Sequence, residues 1–132
     1  MAFDFPIRVY YEDTDLAGLV YYANYLKFIE RGRSEWIRAL GVDQRQMKAA
    51  GLVFAVRRVE ADYLKPARFD DELTVRTQLV SETGVRIVLD QAVLRGANVL
   101  FTAQVTLICM NEAGGVQRMS ADIRRKLAPS LH

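Results

Sequence analysis

The 132-residue sequence predicts an α+β fold, one long helix against a largely antiparallel sheet of about five strands. Three observations lead there. Apolar residues recur at helical spacing from about Val20 to Leu40. The chain beyond Gly51 is almost entirely extended in pattern. The breaks within that extended half are short and rich in turn formers, which suits antiparallel hairpins.

The elements follow in order. Ile7, Val9 and Tyr11 alternate with Arg8, Tyr10 and Glu12, a short strand with one buried face. Asp13-Thr14-Asp15-Leu16-Ala17-Gly18 is polar and small, a loop. Tyr22, Tyr25, Leu26, Ile29, Trp36, Ile37 and Leu40 then form one apolar stripe, and its aromatics are expected to pack in the core. Gly32 sits on that stripe. A mid-helix glycine costs about 1 kcal/mol relative to alanine, so close approach to the sheet is the expected compensation. Gly41 ends the helix as a C′ glycine would. Asp43 opens a second short helix with Gln46 at capping-box spacing, and Gly51 closes it. Strands are expected from about Val53 to Leu64, Leu73 to Val80, Val85 to Leu94 and Val99 to Met110. Repeats, low-complexity segments and linkers are absent, so a single domain over residues 1–132 is expected.

One helix covers one sheet face. The strands are apolar on much of both faces, as in Val99-Leu100-Phe101 and Leu107-Ile108-Cys109-Met110, so the open face is expected to meet a partner, most simply a second copy of the chain.

Composition narrows the chemistry. The apolar fraction of 51% with 26% charged residues argues against disorder. A net charge of +2 is too small to imply a nucleic-acid partner, and the basic run Arg124-Arg125-Lys126 is expected to be a solvated helix end or tail. No stretch approaches the roughly 18 apolar residues of a membrane span, and the N-terminus lacks a signal-peptide pattern. With one unpaired cysteine, Cys109, these features predict a cytoplasmic protein. Cys109 lies in an apolar strand and is expected to be a core thiol. The single histidine is the last residue, His132. A His-dependent triad or a His-based metal centre is therefore not expected, and acid–base chemistry must come from carboxylates, Lys, Tyr or backbone amides.

The loop before the long helix holds three acids in four residues, Glu12-Asp13-Thr14-Asp15. Acids here can simply cap the helix and tie the loop. They can also serve chemistry. Free N–H groups at a helix N-terminus favour developing negative charge, and a carboxylate opposite them could attack a carbonyl or direct water onto it.

The residues Tyr11-Glu12-Asp13-Thr14-Asp15, Gly18, Val20-Tyr21, Asn24-Tyr25 and Leu26-Lys27-Phe28-Ile29-Glu30-Arg31 resemble the signature of hotdog-fold acyl-CoA thioesterases. The likeness extends to Val53-Phe54-Ala55-Val56-Arg57 and Tyr63-Leu64-Lys65-Pro66-Ala67-Arg68-Phe69-Asp70-Asp71, and spans essentially the whole chain. It points to the 4-hydroxybenzoyl-CoA thioesterase family, and within it most closely to the Tol-Pal-associated enzymes. The resemblance implies a hotdog fold, a long central helix wrapped by the sheet, and hydrolysis of an acyl-CoA thioester to free acid and CoA without a metal or redox cofactor. It puts the catalytic carboxylate at Asp15, as nucleophile or general base, and the oxyanion donor at the backbone N–H of Tyr22. Glu12, Asp13 and Thr14 would hold the loop shape. The Tol-Pal-associated group commonly has histidine where this chain has Tyr22, whereas the hydroxybenzoyl-CoA enzyme has tyrosine there.

The resemblance further implies basic residues, supplied by neighbouring subunits, against the phosphates of CoA. Arg118 matches one such position and Arg86 a second, with Lys65, Arg57 and Arg58 as further candidates; each serves equally as a solvated surface charge. The expected assembly is a homodimer, and a homotetramer of two dimers. Alternatives remain open: an aromatic, hydroxybenzoyl-type acyl-CoA, an acyl chain on acyl carrier protein, a non-catalytic acyl-CoA-binding member of the fold, or a dimerisation module without thioester binding.

Overall fold

The computed structural model describes residues 1–127, so His132 lies outside the described residues. Five strands form one antiparallel sheet: β1 (Ala2–Arg8), β2 (Leu52–Tyr63), β3 (Glu72–Glu82), β4 (Arg86–Arg95) and β5 (Asn98–Asn111). Their spatial order is β1-β3-β4-β5-β2. Helix α1 (Asn24–Ala39) packs over β3, β1 and β4, and α2 (Gln44–Ala49) over β2. The chain passes from β1, on one edge, through both helices to β2 on the other edge, then returns to fill the middle.

The middle strands alternate as their sequence requires. Leu73, Val75, Thr77 and Leu79 of β3 and Ile87, Leu89, Gln91 and Val93 of β4 are buried beneath α1. Their outward neighbours Arg76, Gln78 and Asp90, with Glu60, Asp62 and Gln104, are exposed. The outer face is therefore polar across its centre, which corrects the expectation of an open apolar face. Both apolar runs have a local cause. The β4–β5 register shifts between Val93 and Leu94, so Val93 opposes Phe101, Leu94 opposes Val99, and Leu100 becomes the unpaired residue of a bulge. Leu107 and Cys109 face inward while Ile108 opposes Arg86 on the outside.

The apolar surface left open is instead at the β2 edge. Val59 and Tyr63 share a face with the buried Val105 and Phe101, yet both are exposed.

Gly32 behaves as its position on the stripe predicts. A Cβ there would fall far inside contact distance of Val75 Cγ1 and lie 3.1 Å from Val75 Cβ, so the missing side chain lets α1 settle against β3. Beside it a polar cluster crosses the helix–sheet layer. Gln91 Nε2 donates to Ile29 O and Thr77 Oγ1, each at 2.9 Å, and Arg33 Nη1 donates to Gln91 Oε1 at 3.1 Å. Arg33 is only 9% exposed with no carboxylate partner among the described residues, and burial lowers its pKa.

Three boundaries differ from expectation. The first strand runs Ala2–Arg8, not Ile7–Tyr11: Phe3, Phe5 and Ile7 turn inward, and Pro6 is tolerated because β1 is an edge strand. The long helix starts at Asn24, not Val20, because Val20 N–H donates to Ala67 O and Val20 bridges Thr14. A third helix, α3 (Ala121–Leu127), buries Ile123 and Leu127 in the core. The basic run on it is thus a helix end, though only partly solvated: Arg124 Nε pairs with Glu82 at 3.0 Å. Asp43 caps α2 as expected, accepting from Arg45 N–H at 2.9 Å and Gln46 N–H at 3.3 Å. Cys109 is buried, and burial pushes its thiol pKa up.

Candidate active site

The acidic loop is a tight hairpin attached to the β2–β3 connection. Thr14 bridges Val20, Asp15 N–H donates to Leu19 O at 2.8 Å, and Gly18 closes the turn at φ +76°. Leu19 bridges Arg68, and Phe69 N–H donates to Gly18 O at 3.3 Å. That connection is itself tied down: Asp71 Oδ2 accepts from Arg68 N–H at 2.8 Å and from Arg95 Nη1 at 2.9 Å. The hairpin therefore rests on a fixed base.

Within the loop the acids separate by role. Asp13 is buried; its carboxylate accepts from Tyr10 N–H at 2.8 Å, and its carbonyl accepts from Tyr21 N–H at 3.0 Å and Asn24 Nδ2 at 2.9 Å. Thr14 Oγ1 donates to Tyr11 O at 2.8 Å. These two residues fold the loop. Glu12 is exposed and makes no hydrogen bond among the described residues. Asp15 is exposed at the tip. Its Oδ1 accepts from Ala17 N–H at 2.9 Å and Leu19 N–H at 3.2 Å, while Oδ2 has no donor among the described residues. The carboxylate is thus held by one oxygen and open at the other.

The start of α1 lies just beyond. Ala23, at the N-cap, offers no side-chain acceptor, and the first helical amides bond back in the tight pattern of a 3-10 turn: Asn24 to Tyr21 O, Tyr25 to Tyr22 O, Leu26 to Ala23 O. That leaves the N–H groups of Tyr22 and Ala23 without an acceptor among the described residues. Tyr22 precedes the helix proper by two residues, and its side chain is 62% exposed. Its expected place in the buried stripe is therefore corrected: Tyr25, Phe28 and Trp36 are core, whereas Tyr22 sits in the turn, off the helical repeat. Leu26, on the same stripe, is also exposed.

Two tyrosines that the pattern did not single out for this brace the turn. Tyr63 OH donates to Tyr22 O at 3.1 Å, and Tyr25 OH accepts from Ala67 N–H at 2.9 Å. Tyr25 stacks on Phe101 with centroids 5.1 Å apart, and Tyr63 packs edge-on against both rings. Burial raises the pKa of both phenols. Exposed rings and apolar tips gather around the site: Tyr11 against Phe69, Tyr21 against Tyr22, and the fully exposed Leu16. Among the described residues, no group of three or more Asp, Glu, Cys or His side chains is placed to hold a metal ion.

The cation candidates do not join this group within one chain. Arg118 lies over the β3–β4 turn, where a side chain at Gly84 would meet its guanidinium at 3.0 Å, and Arg86 begins β4 beside that turn. The Asp15 hairpin is fastened at the opposite end of β3, whose 11 residues at about 3.4 Å each separate the two regions by about 35 Å. Arg86 and Arg118 are exposed without ion-pair partners among the described residues. Arg57 is the unpaired residue of a bulge in the β2 edge strand, Arg58 pairs with Glu60, and Lys65 N–H is held by Leu100 O.

Comparison with known proteins agrees with this architecture. The family model described as the thioesterase-like superfamily matches residues 9–127. A protein of Escherichia coli O6:H1 named acyl-CoA thioester hydrolase YbgC is 39% identical over 110 residues, covering 83% of this chain and 82% of that relative. The acyl-CoA thioesterase YbgC of Haemophilus influenzae is 40% identical over 110 residues, 83% of this chain and 81% of its own. The crystal structure of a probable thioesterase from Bartonella henselae superposes with a TM-score of 0.87 at 39% identity, over 91% of this chain and all of that one. With the sheet, the central helix and a family match from Val9 to Leu127, the chain belongs to the thioesterase-like superfamily and has its hotdog fold.

Proposed function

We propose that this protein hydrolyses an acyl-CoA thioester to the free acid and CoA, with Asp15 as the reacting carboxylate and the Tyr22 amide as oxyanion donor. One observation carries the reading: at Asp15 one carboxylate oxygen is fixed by two amides and the other is open, while the helix entrance beyond the hairpin holds unpaired N–H groups. As nucleophile, the free oxygen attacks the thioester carbonyl carbon. The carbonyl π electrons move to oxygen, where the amide stabilises them; their return expels CoA as thiolate and leaves a mixed anhydride for water to cleave. As base, the same oxygen takes a proton from water while the water oxygen attacks, and that proton goes on to the departing thiolate.

The rings of Tyr21, Tyr22 and Tyr63 around the amide favour a second reading of the substrate, an aromatic, hydroxybenzoyl-type acyl group. An acyl chain on acyl carrier protein is the further variant. The active unit on this reading is a homodimer joined through the β2 edge, paired into a homotetramer. The long edge strand with its unpaired backbone and the exposed Val59 and Tyr63 support the dimer. Arg86 and Arg118 would then meet CoA phosphates held at another subunit's Asp15. The cytoplasm is the compartment that fits an unpaired Cys109. No helix among the described residues is long and apolar enough to cross a membrane.

The test is thiol release over benzoyl-type, short and long acyl-CoAs and acylated carrier protein, wild type beside Asp15→Ala. Turnover should fall by several orders of magnitude in the variant, more than the roughly 10²–10³ lost with one oxyanion donor. A folded, assembled Asp15→Ala protein with near wild-type turnover would overturn the assignment. Tight acyl-CoA binding without turnover by the wild type would instead make it a binding protein.

A further inference from the structure

The carbonyl of Tyr22 at the helix entrance is held from two sides. It accepts from Tyr63 OH at 3.1 Å, across the gap between α1 and the end of β2, and from Tyr25 N–H at 3.4 Å. A peptide unit is planar, with its C=O and N–H pointing in opposite directions. Holding Tyr22 O therefore also fixes the direction of the Ala23 N–H, which has no acceptor among the described residues. The adjoining unit is pinned as well: Tyr21 O accepts from Asn24 N–H at 2.8 Å, leaving the Tyr22 N–H free. Both unpaired amides are thus aimed by what grips the carbonyls behind them, and one of those grips comes from a side chain outside the helix.

The phenol is placed to do this. The Tyr63 ring is wedged edge-on against Tyr22, Tyr25 and Phe101, at centroid separations of 6.1, 5.5 and 5.0 Å. Tyr25 in turn stacks on Phe101, so the hydroxyl projects from a rigid cluster rather than a mobile side chain. Partial burial keeps the phenol in the protonated form that can donate.

We infer that Tyr63 is a positioning residue for the hydrolysis proposed above: its hydroxyl holds the Tyr22–Ala23 peptide, and with it the Ala23 N–H beside the Tyr22 donor, so that the helix entrance meets the oxyanion without reorganising. It touches neither the thioester nor Asp15, and acts through the backbone of the helix entrance. Donors that need no reorientation stabilise the transition state and leave substrate binding little affected, so the signature is in kcat.

The experiment uses the full chain with the best acyl-CoA of the panel. Tyr63→Phe keeps the ring packing and removes only the hydroxyl. It should lower kcat about tenfold, less than the 10²–10³ of deleting a donor because the amides remain, with KM, melting temperature and oligomeric mass unchanged. Replacing Tyr63 with 3-fluorotyrosine retains the hydroxyl and should restore kcat, and this comparison decides the matter if Tyr63→Phe proves unstable. An unchanged kcat in Tyr63→Phe, or a raised KM at constant kcat, would overturn the inference, as would a 3-fluorotyrosine protein as slow as the Phe variant. The inference rests on the thioesterase reading, and Asp15→Ala run in parallel separates the two. If Asp15→Ala is inactive but Tyr63→Phe is normal, only the positioning role fails; if Asp15→Ala is active, the reaction itself has been misread.

Discussion

Replacing Gly32 by alanine should destabilise the protein, although alanine is the better helix former. At a free helical position the exchange gains about 1 kcal/mol. Here the new methyl would collide with Val75 Cγ1 and lie 3.1 Å from Val75 Cβ. Ordinary carbon–carbon contacts are about 3.5–4.0 Å, so rotating the valine does not suffice, because its Cβ is itself too close. Val75 is fully buried, held between Phe5 of β1 and Val93 of β4, and stiff at χ1. The relief must come from α1 lifting off β3. Overpacking of this kind costs about 1–3 kcal/mol, which cancels or exceeds the propensity gain and leaves a net loss of up to about 2 kcal/mol. Urea unfolding at one fixed protomer concentration measures it, since any oligomer makes stability concentration-dependent. The decisive comparison is the Val75→Ala background, where the Cγ1 clash is gone and only the 3.1 Å Cβ contact remains, so Gly32→Ala should cost less there. The lifted helix carries the Tyr22 and Ala23 amides with it, so thiol release should also fall while the protein remains folded. A single Gly32→Ala variant stabilised by about 1 kcal/mol, or an equal effect in both backgrounds, would refute the close-approach argument.

Two further outcomes follow from the polar contacts. Arg33→Met removes the donor to Gln91 Oε1 and leaves that buried oxygen unpaired, so it should cost about 1–3 kcal/mol in urea unfolding; adding Gln91→Leu should not recover the loss, because it strands the buried Thr77 hydroxyl. The Arg76 guanidinium, hydrogen-bonded to Asp4, holds that carboxyl below its ordinary pKa, so the pair's contribution is present above about pH 4, the unfolded value, and lost as pH falls through the folded one. Both side chains are about half exposed, so solvent screens the pair; wild type and Arg76→Gln should converge in stability at acid pH and differ at neutral pH, less so in high salt.

The parts legible in sequence are those where one residue type admits one solution. The hairpins joining β3, β4 and β5 follow from alternation and short turns, with Gly84 and Gly96 in the left-handed conformation that such turns require. Gly32 on the helical stripe announces the helix–sheet contact. The start of α1 was not legible, because Val20 and Tyr22 fit the helical repeat, and only long-range bonds from Val20 to Ala67 and from Tyr21 to Asp13 draw them out of it. The same holds for α3, where a basic run conceals a buried face of Ile123 and Leu127. At the site, Asp15 and Tyr22 came from a resemblance, and the geometry leaves both with unused hydrogen-bonding capacity. Tyr63 carries no signal in its own segment, because what it binds is a backbone carbonyl 41 residues away.

That unused capacity is informative because so much around it is satisfied. Asp13 is held by Tyr10, Tyr21 and Asn24, and Asp71 by Arg68 and Arg95. Against that background, Asp15 Oδ2 and two consecutive amides have no partner among the described residues, at one end of the sheet. Arg86 and Arg118, without ion-pair partners among the described residues, stand about 35 Å away at the other end; on the proposed function, the reacting end of one substrate and its charged end would not both be served by a single chain without spanning the whole sheet. On that reading, the chain that positions the carboxylate would not be the chain that binds the phosphates. A small fold whose open apolar surface lies along β2, next to Tyr63 and the helix entrance, joins those two tasks most directly by associating with itself.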